Sequence, residues 1–248
     1  MSTANRCAIF ADMVTALSAL LKRHQHEYHQ VIAFDPNKEA IAPVDLRRGG
    51  DLPEDIADDT ETFCRFMEDL RIKREAAFLI GGYNELRHMY SRSTLFTERD
   101  EPRRLHLGTD IWGPEGTPVH AFLGGMVHSI GYNEGLGNYG ATIVLLHQLE
   151  ALPFYTLYGH VSISDIQQLT AGQYINRGQV VAHFGNPAEN GEWPPHLHFQ
   201  IIEDIGMHVG DYPGVCRYSD REAWLLNCPD PDLVLQMNRL LVFGQAKP

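Results

Sequence analysis

From Leu105 to about Ile205 glycines cut the chain into short apolar runs, and this texture restricts the fold more than any other feature of the sequence. The runs are Val119 to Phe122, Gly125 to Ile130, Ala141 to Leu146, Phe154 to Tyr158, Val180 to Phe184 and Leu197 to Ile202. Each is the length of a strand rather than a helix and is bounded by turn residues. Strands at this spacing with few helices between them predict an antiparallel β-sheet in a sandwich or barrel-like domain. The preceding chain reads differently. Ile9, Met13, Leu17, Leu20 and Leu21 recur at helical spacing within residues 5 to 30. A second helix is predicted from Thr60 to Ala77, with Phe63, Phe66, Met67 and Leu70 as its apolar stripe and Asp58 and Asp59 at its positive N-terminal end. A short strand, Val31 to Phe34, lies in the Pro- and Gly-rich stretch between them. The expected fold is mainly β with an α-helical N-terminal region: helical over 1–99, β-rich over 100–205, and a C-terminal extension, 206–248, packed on the β domain.

Composition limits the partners. The chain has 248 residues, 44% of them hydrophobic, which is enough for a sizeable core. Its net charge of −12 argues against nucleic acid or an anionic envelope polymer as ligand. No run of about 18 apolar residues occurs, so no membrane span is expected. The N-terminus lacks the pattern of a secretory signal. Cys7, Cys64, Cys216 and Cys228 form no Cys-x-x-Cys pair and are expected to be free, buried thiols. Together these features predict a cytoplasmic protein. Oligomeric state leaves no mark on the sequence.

Chemistry is concentrated in three places: His106-Leu-Gly-Thr-Asp110, His160 at the end of Tyr155-Thr-Leu-Tyr-Gly-His160, and His196-Leu-His198 within Pro194-Pro-His-Leu-His-Phe-Gln200. On a strand, positions i and i+2 share a face, roughly 7 Å apart. One of His196 and His198 can therefore bind a metal while the other stands beside it, with Leu197 and Phe199 turned into the core. Gly108 is expected to let the backbone bend so that His106 and Asp110 converge. Two histidines and a carboxylate, with a fourth position left for water, make up a catalytic zinc site. Such an ion lowers the pKa of water towards about 7 and polarises a carbonyl.

In order and in neighbouring residues these motifs resemble the lysostaphin/LytM family of zinc metalloendopeptidases, whose members carry His-x-x-x-Asp, then Tyr-x-x-Tyr-Gly-His, then His-Leu-His-Phe. The resemblance covers about 100 residues, from His106 to Ile202. It implies a β-sheet peptidase domain of the duplicated hybrid motif type and Zn2+ held by His106, Asp110 and His198. It also implies His160 and His196 as the catalytic histidines, and a groove between antiparallel sheets that takes a peptide or amide, peptidoglycan-type peptides included. The loop Asn186-Pro-Ala-Glu-Asn-Gly-Glu-Trp-Pro-Pro195 is longer and stiffer than is usual there. With Gly81-Gly-Tyr-Asn84 and Asp211-Tyr-Pro-Gly-Val215, it looks like an intracellular branch, similar to the domain fused to some aminotransferases. Two rivals share the site: a zinc amidohydrolase of a small cytosolic metabolite, which a closed pocket favours, and a non-catalytic metal-bearing regulatory module, which four protein ligands favour.

Other signals are discounted. Gly135-Leu-Gly-Asn-Tyr-Gly140 matches a dinucleotide fingerprint, but a strand follows it rather than a helix, so a hairpin loop is expected. His24, His26 and His29 read as a solvated helix end. His120, His128, His147 and His183 read as structural or rim residues, with His183 the one placed to approach the cleft. Trp193 and Tyr158 read as anchors, and Glu189 and Glu192 as solvated loop carboxylates.

Overall fold

A computed structural model describes residues 15–98 and 100–241; Cys7, Ile9, Met13 and the last residues of the C-terminal extension lie outside them. The first helix, α1 (Ala16–Arg23), is capped by Thr15, whose hydroxyl accepts from Ser18 N at 3.0 Å. It buries Leu17, Leu20 and Leu21. The chain then passes through strand β1 (Ala40–Val44) to helix α2 (Thr60–Lys73), whose N-cap is Asp59. Here the expectation needs correcting. The second helix stops four residues before Ala77, because Glu75 takes a positive φ of 52° and Ala76–Gly81 is a strand, β2. The N-terminal region is thus not simply helical. Its two strands pair in parallel, and β2 continues antiparallel onto β4 (Thr109–Trp112). A short apolar run at the end of a helical pattern reads equally as helix or as buried strand. Pro43 is tolerated in β1 because β1 is the edge of the sheet.

The remaining strands are β3 (Leu105–His106), β5 (Pro118–His120), β6 (Gly125–Asn133), β7 (Gly140–Leu149), β8 (Leu152–Val161), β9 (Tyr174–Ile175), β10 (Val180–His183), β11 (His196–Ile202) and β12 (Val215–Cys216). The six strands expected from the sequence are all present. The Val31–Phe34 strand is reduced to one bridge, Ile32 to Val119. Eight strands form a mostly antiparallel sheet in the order β1-β2-β4-β11-β8-β7-β6-β9, with β5/β10 and β3/β12 as separate pairs. The β5/β10 ribbon packs on one face, where Val119, Val181 and Phe184 meet Ile143, Tyr158 and Phe199 in the main core. Side chains alternate across each strand, so Val144 and Leu157 point to the opposite face and join Leu105, Leu107 and Ile205 in a second cluster. Leu197 and Phe199 are fully buried in the main core, as expected. His196, His198 and Gln200 therefore face the other side, which segments of the N- and C-terminal regions cover. No helix among the described residues is long and apolar enough to cross a membrane.

Candidate metal centre and its cleft

Strand register brings the triad together. His198 on β11 lies opposite Asp110 on β4 and Gly159 on β8. His106 reaches the same point from β3, held by residues 82–87 of the N-terminal region: His106 N donates to Glu85 O, and Asn84 N to His106 O. His106 Nε2, Asp110 Oδ1 and His198 Nδ1 lie 2.9, 3.0 and 3.3 Å from one another. Ligands of a tetrahedral zinc ion, each about 2.0–2.1 Å from it, are about 3.3 Å apart, so little movement is needed to seat one. Gly108 matters for a reason other than the one expected. Its φ is ordinary, but a Cβ there would come within 2.5 Å of His198 Cε1, so the glycine makes room for the ring.

Hydrogen bonds fix the tautomers. His106 Nδ1–H donates to Gly82 O at 3.0 Å. Gln200 Nε2 donates to Pro213 O, which turns its Oε1 to accept from His198 Nε2–H at 2.9 Å. Burial, with the cation of Arg87 nearby, lowers His106 to about 4, so it is neutral. Burial opposes ionisation of Asp110, but the Arg87 guanidinium beside it holds the carboxyl well below its usual range. His106 Nε2, His198 Nδ1 and a carboxylate oxygen thus converge on one point, an arrangement of donor atoms that a cation among them would satisfy. This donor set fits a borderline divalent ion such as zinc.

His160 and His196 stand beside the triad, their ring centroids 4.2 Å apart. Each Nδ1–H is held by a carbonyl of the 186–195 loop: His160 by Asn190 O at 2.8 Å, His196 by Pro194 O at 2.7 Å. Each Nε2 is left as an acceptor, and that of His196 lies 4.0 Å from Asp110 Oδ1. His160 has φ 61°, rare for a residue with a Cβ, at a bulge where β8 slips register against β7. Bulges of this kind re-aim a side chain at a functional site. Burial lowers His196 to about 4, and burial with His196 alongside pushes His160 well below its ordinary value. Trp112 stacks on His196 at 5.4 Å.

These residues line a cleft of about 220 Å³. Tyr90, Leu95 and Phe96 from the N-terminal region, with Arg103, form one wall, and His208 to Val215 another, with Tyr139 and Trp193 between. Sequence reasoning missed Glu85, Arg87 and Tyr139, whose contacts depend on pairings invisible along the chain, and Gln200, which strand alternation places beside His198. Trp193 is a loop anchor and also part of the wall. His183 does not approach the cleft; its Nδ1 faces Asp165 Oδ1 at 3.0 Å, because strand β10 belongs to the ribbon on the far side. His147 is a core residue held by Gly124 O and Thr156 Oγ1. Glu189 accepts from Ile163 N and Glu192 from Thr60 Oγ1, so both are tied into the structure rather than simply solvated. Gly135 to Gly140 is the turn between antiparallel β6 and β7, as expected. His24 is bracketed by Glu27 and Glu150 at the helix end. Cys216 and Cys228 are free, and burial lifts both thiols to about 12; Cys64 is free and only half-buried.

The chain is similar in sequence to proteins named as peptidases. The chain is 29% identical over 127 residues to the L-Ala–D-Glu endopeptidase of Bacillus subtilis, covering 49% of this chain and 36% of that protein. It is 33% identical over 138 residues to the DD-carboxypeptidase/endopeptidase Mpg of Neisseria meningitidis serogroup B, covering 54% and 28%. The chain thus spans about a third of the length of these curated relatives. Among solved structures it is similar to a zinc containing peptidase from Vibrio cholerae, at 30% identity over 40% of this chain and 27% of that one, with a TM-score of 0.32. Residues 104–209 match the profile described as Peptidase family M23. That segment, which matches the family M23 profile, carries the triad and both neighbouring histidines.

Proposed function

We propose that the protein is a zinc metallopeptidase, an endopeptidase-like hydrolase of a peptide or amide bond. The observation that carries this reading is the convergence of three lone pairs beside two neutral histidines in one cleft. His106 Nε2, Asp110 Oδ1 and His198 Nδ1 would hold the ion. Bound there, zinc supplies a Lewis acid for the scissile carbonyl and lowers the pKa of water. His160 and His196 manage the proton. With both Nδ1–H groups pinned to carbonyls, each Nε2 starts as a base. Two imidazolium rings this close would repel, so the pair holds one proton and not two. One ring takes the proton from the attacking water at its Nε2 and then delivers it to the leaving amine, while the other, whose Nε2 carries no hydrogen, accepts a hydrogen bond from that water.

One feature favours a short substrate. The walls supplied by residues 89–103 and 208–215 flank the centre, and all five polar residues of the site are buried. A dipeptide, an acylated amino acid or another small amide fits such a cleft better than a cross-linked polymer. The relatives' names attach peptidoglycan peptides to those proteins, and a fragment of that kind remains within this class. The test is hydrolysis of a panel running from acylated amino acids through peptides to intact peptidoglycan. The wild type is expected to cleave the short members. His160→Ala should lose about 10²–10⁴-fold in turnover while keeping its metal. Full activity in that variant would remove His160 from the mechanism.

A further inference from the structure

Arg87 lies outside the family-matching segment, in the N-terminal region, and yet reaches the centre. It is fully buried. Its backbone is fixed beside β3, with Arg87 N donating to Arg104 O and Leu86 bridging to Leu105. Its Nη1 donates to Asp110 Oδ2 at 2.5 Å, on the side away from the metal position. Its Nε donates to Glu85 Oε2 at 2.7 Å, and Glu85 Oε1 in turn accepts from Leu46 N. The guanidinium lies over the Trp112 ring, 5.7 Å from its centroid, and the opening for it exists because residue 81 is glycine: a Cβ there would come within 2.5 Å of Trp112 and 3.1 Å of Arg87 Nη2. The guanidinium carries its charge at any working pH.

A carboxylate offers a metal one oxygen or two. With Oδ2 taken by a fixed, permanently charged donor, only Oδ1 remains. We propose that Arg87 is a positioning residue that restricts Asp110 to single-oxygen ligation, with Glu85 fixing Arg87 in turn. This rests on the reading of His106, Asp110 and His198 as the metal ligands. One-oxygen ligation keeps the protein's share of the coordination sphere at three atoms, leaving the fourth position open to water or substrate. The N-terminal region is therefore part of the catalytic apparatus and not a detachable cover.

The experiment loads the full chain with Co2+, whose visible absorption separates four- from five-coordinate sites, and measures Zn2+ affinity by competition with a chromogenic chelator. Arg87→Met is expected to weaken Zn2+ binding by about 10–100-fold and to shift the cobalt spectrum towards five-coordination as Oδ2 becomes free. Arg87→Lys keeps a cation on Oδ2 and should retain the four-coordinate spectrum with a smaller loss. Arg87→Met strands the Glu85 charge in the interior; if it does not fold, Glu85→Gln/Arg87→Met removes both charges and should give the same spectral shift. A wild-type spectrum and affinity in the folded Met-bearing variant would overturn the proposal. His198→Ala separates the two failures: if it keeps full affinity, the ligand assignment is wrong; if it loses the metal while the Arg87 variants match wild type, only the role of Arg87 is wrong.

Discussion

Substituting Gly108 by alanine tests whether the geometry around His198 is as tight as the site requires. The new Cβ would lie 2.5 Å from His198 Cε1, 2.6 Å from Nε2 and 2.9 Å from Phe199 O. Carbon–carbon contact settles at about 3.5 Å, so the ring or the β3–β4 turn must move by about 1 Å. The ring has little freedom, because Gln200 holds its Nε2 and the backbone beneath is paired on both sides. Metal sites tolerate displacements of about 0.2 Å. Gly108→Ala should therefore lose the metal while costing the apo-protein only about 1–3 kcal/mol, the usual range for overpacking. The assay is metal affinity by chelator competition, alongside the urea midpoint of the apo-protein. Gly116→Ala is the control: its φ is 75°, so it carries a backbone cost of about 1–2 kcal/mol, but nothing lies within 4 Å and the metal should stay. Wild-type affinity in a folded Gly108→Ala variant would refute the packing argument.

Other outcomes follow from the same contacts. Gly191 has φ 86°, and a Cβ there would lie against Asn138 O. Gly191→Ala should displace the neighbouring Asn190 carbonyl from His160 and lower turnover by about 10²-fold with the metal retained, as read by kcat and metal content together. Burial lowers His147 from 6.5 to about 4. The unfolded chain then takes up this proton first as the pH falls, so the contribution is complete above pH 6.5, declines by about 1.4 kcal/mol per unit down to pH 4, and is flat below. His147→Gln should therefore lose about 2 kcal/mol less than wild type between pH 7 and pH 5 in urea titrations. An equal loss in both would show that His147 does not titrate this way.

How far the sequence could be read depended on whether a feature was local. His196 and His198 share a face because β11 is a strand, and period-two alternation shows that from residues 196–202 alone. The six glycine-bounded runs became strands for the same reason. The helix was carried on to Ala77 and the strand Ala76–Gly81 was not recognised, because a short apolar run after a helix reads equally as helix or buried strand; tertiary pairing with β4 decides its state. That misassignment hid the rest. Only once β2 extends the sheet does the chain at 82–87 run beside His106, placing Gly82 O on its Nδ1 and Arg87 on Asp110. Gln200 was in plain sight two residues from His198, and the same alternation that pairs the histidines puts it beneath the ring. Gly108 was recognised as necessary, but only the position of the His198 ring reveals that space, and not backbone freedom, is what it supplies.

Metal content of the purified protein and of His198→Ala, by mass spectrometry, decides whether His106, Asp110 and His198 hold a zinc ion. About one zinc per chain is expected in the wild type and none in the variant, with cleavage lost alongside the metal. Zinc retained in a folded His198→Ala protein, or a wild type that binds no divalent ion, would contradict that assignment.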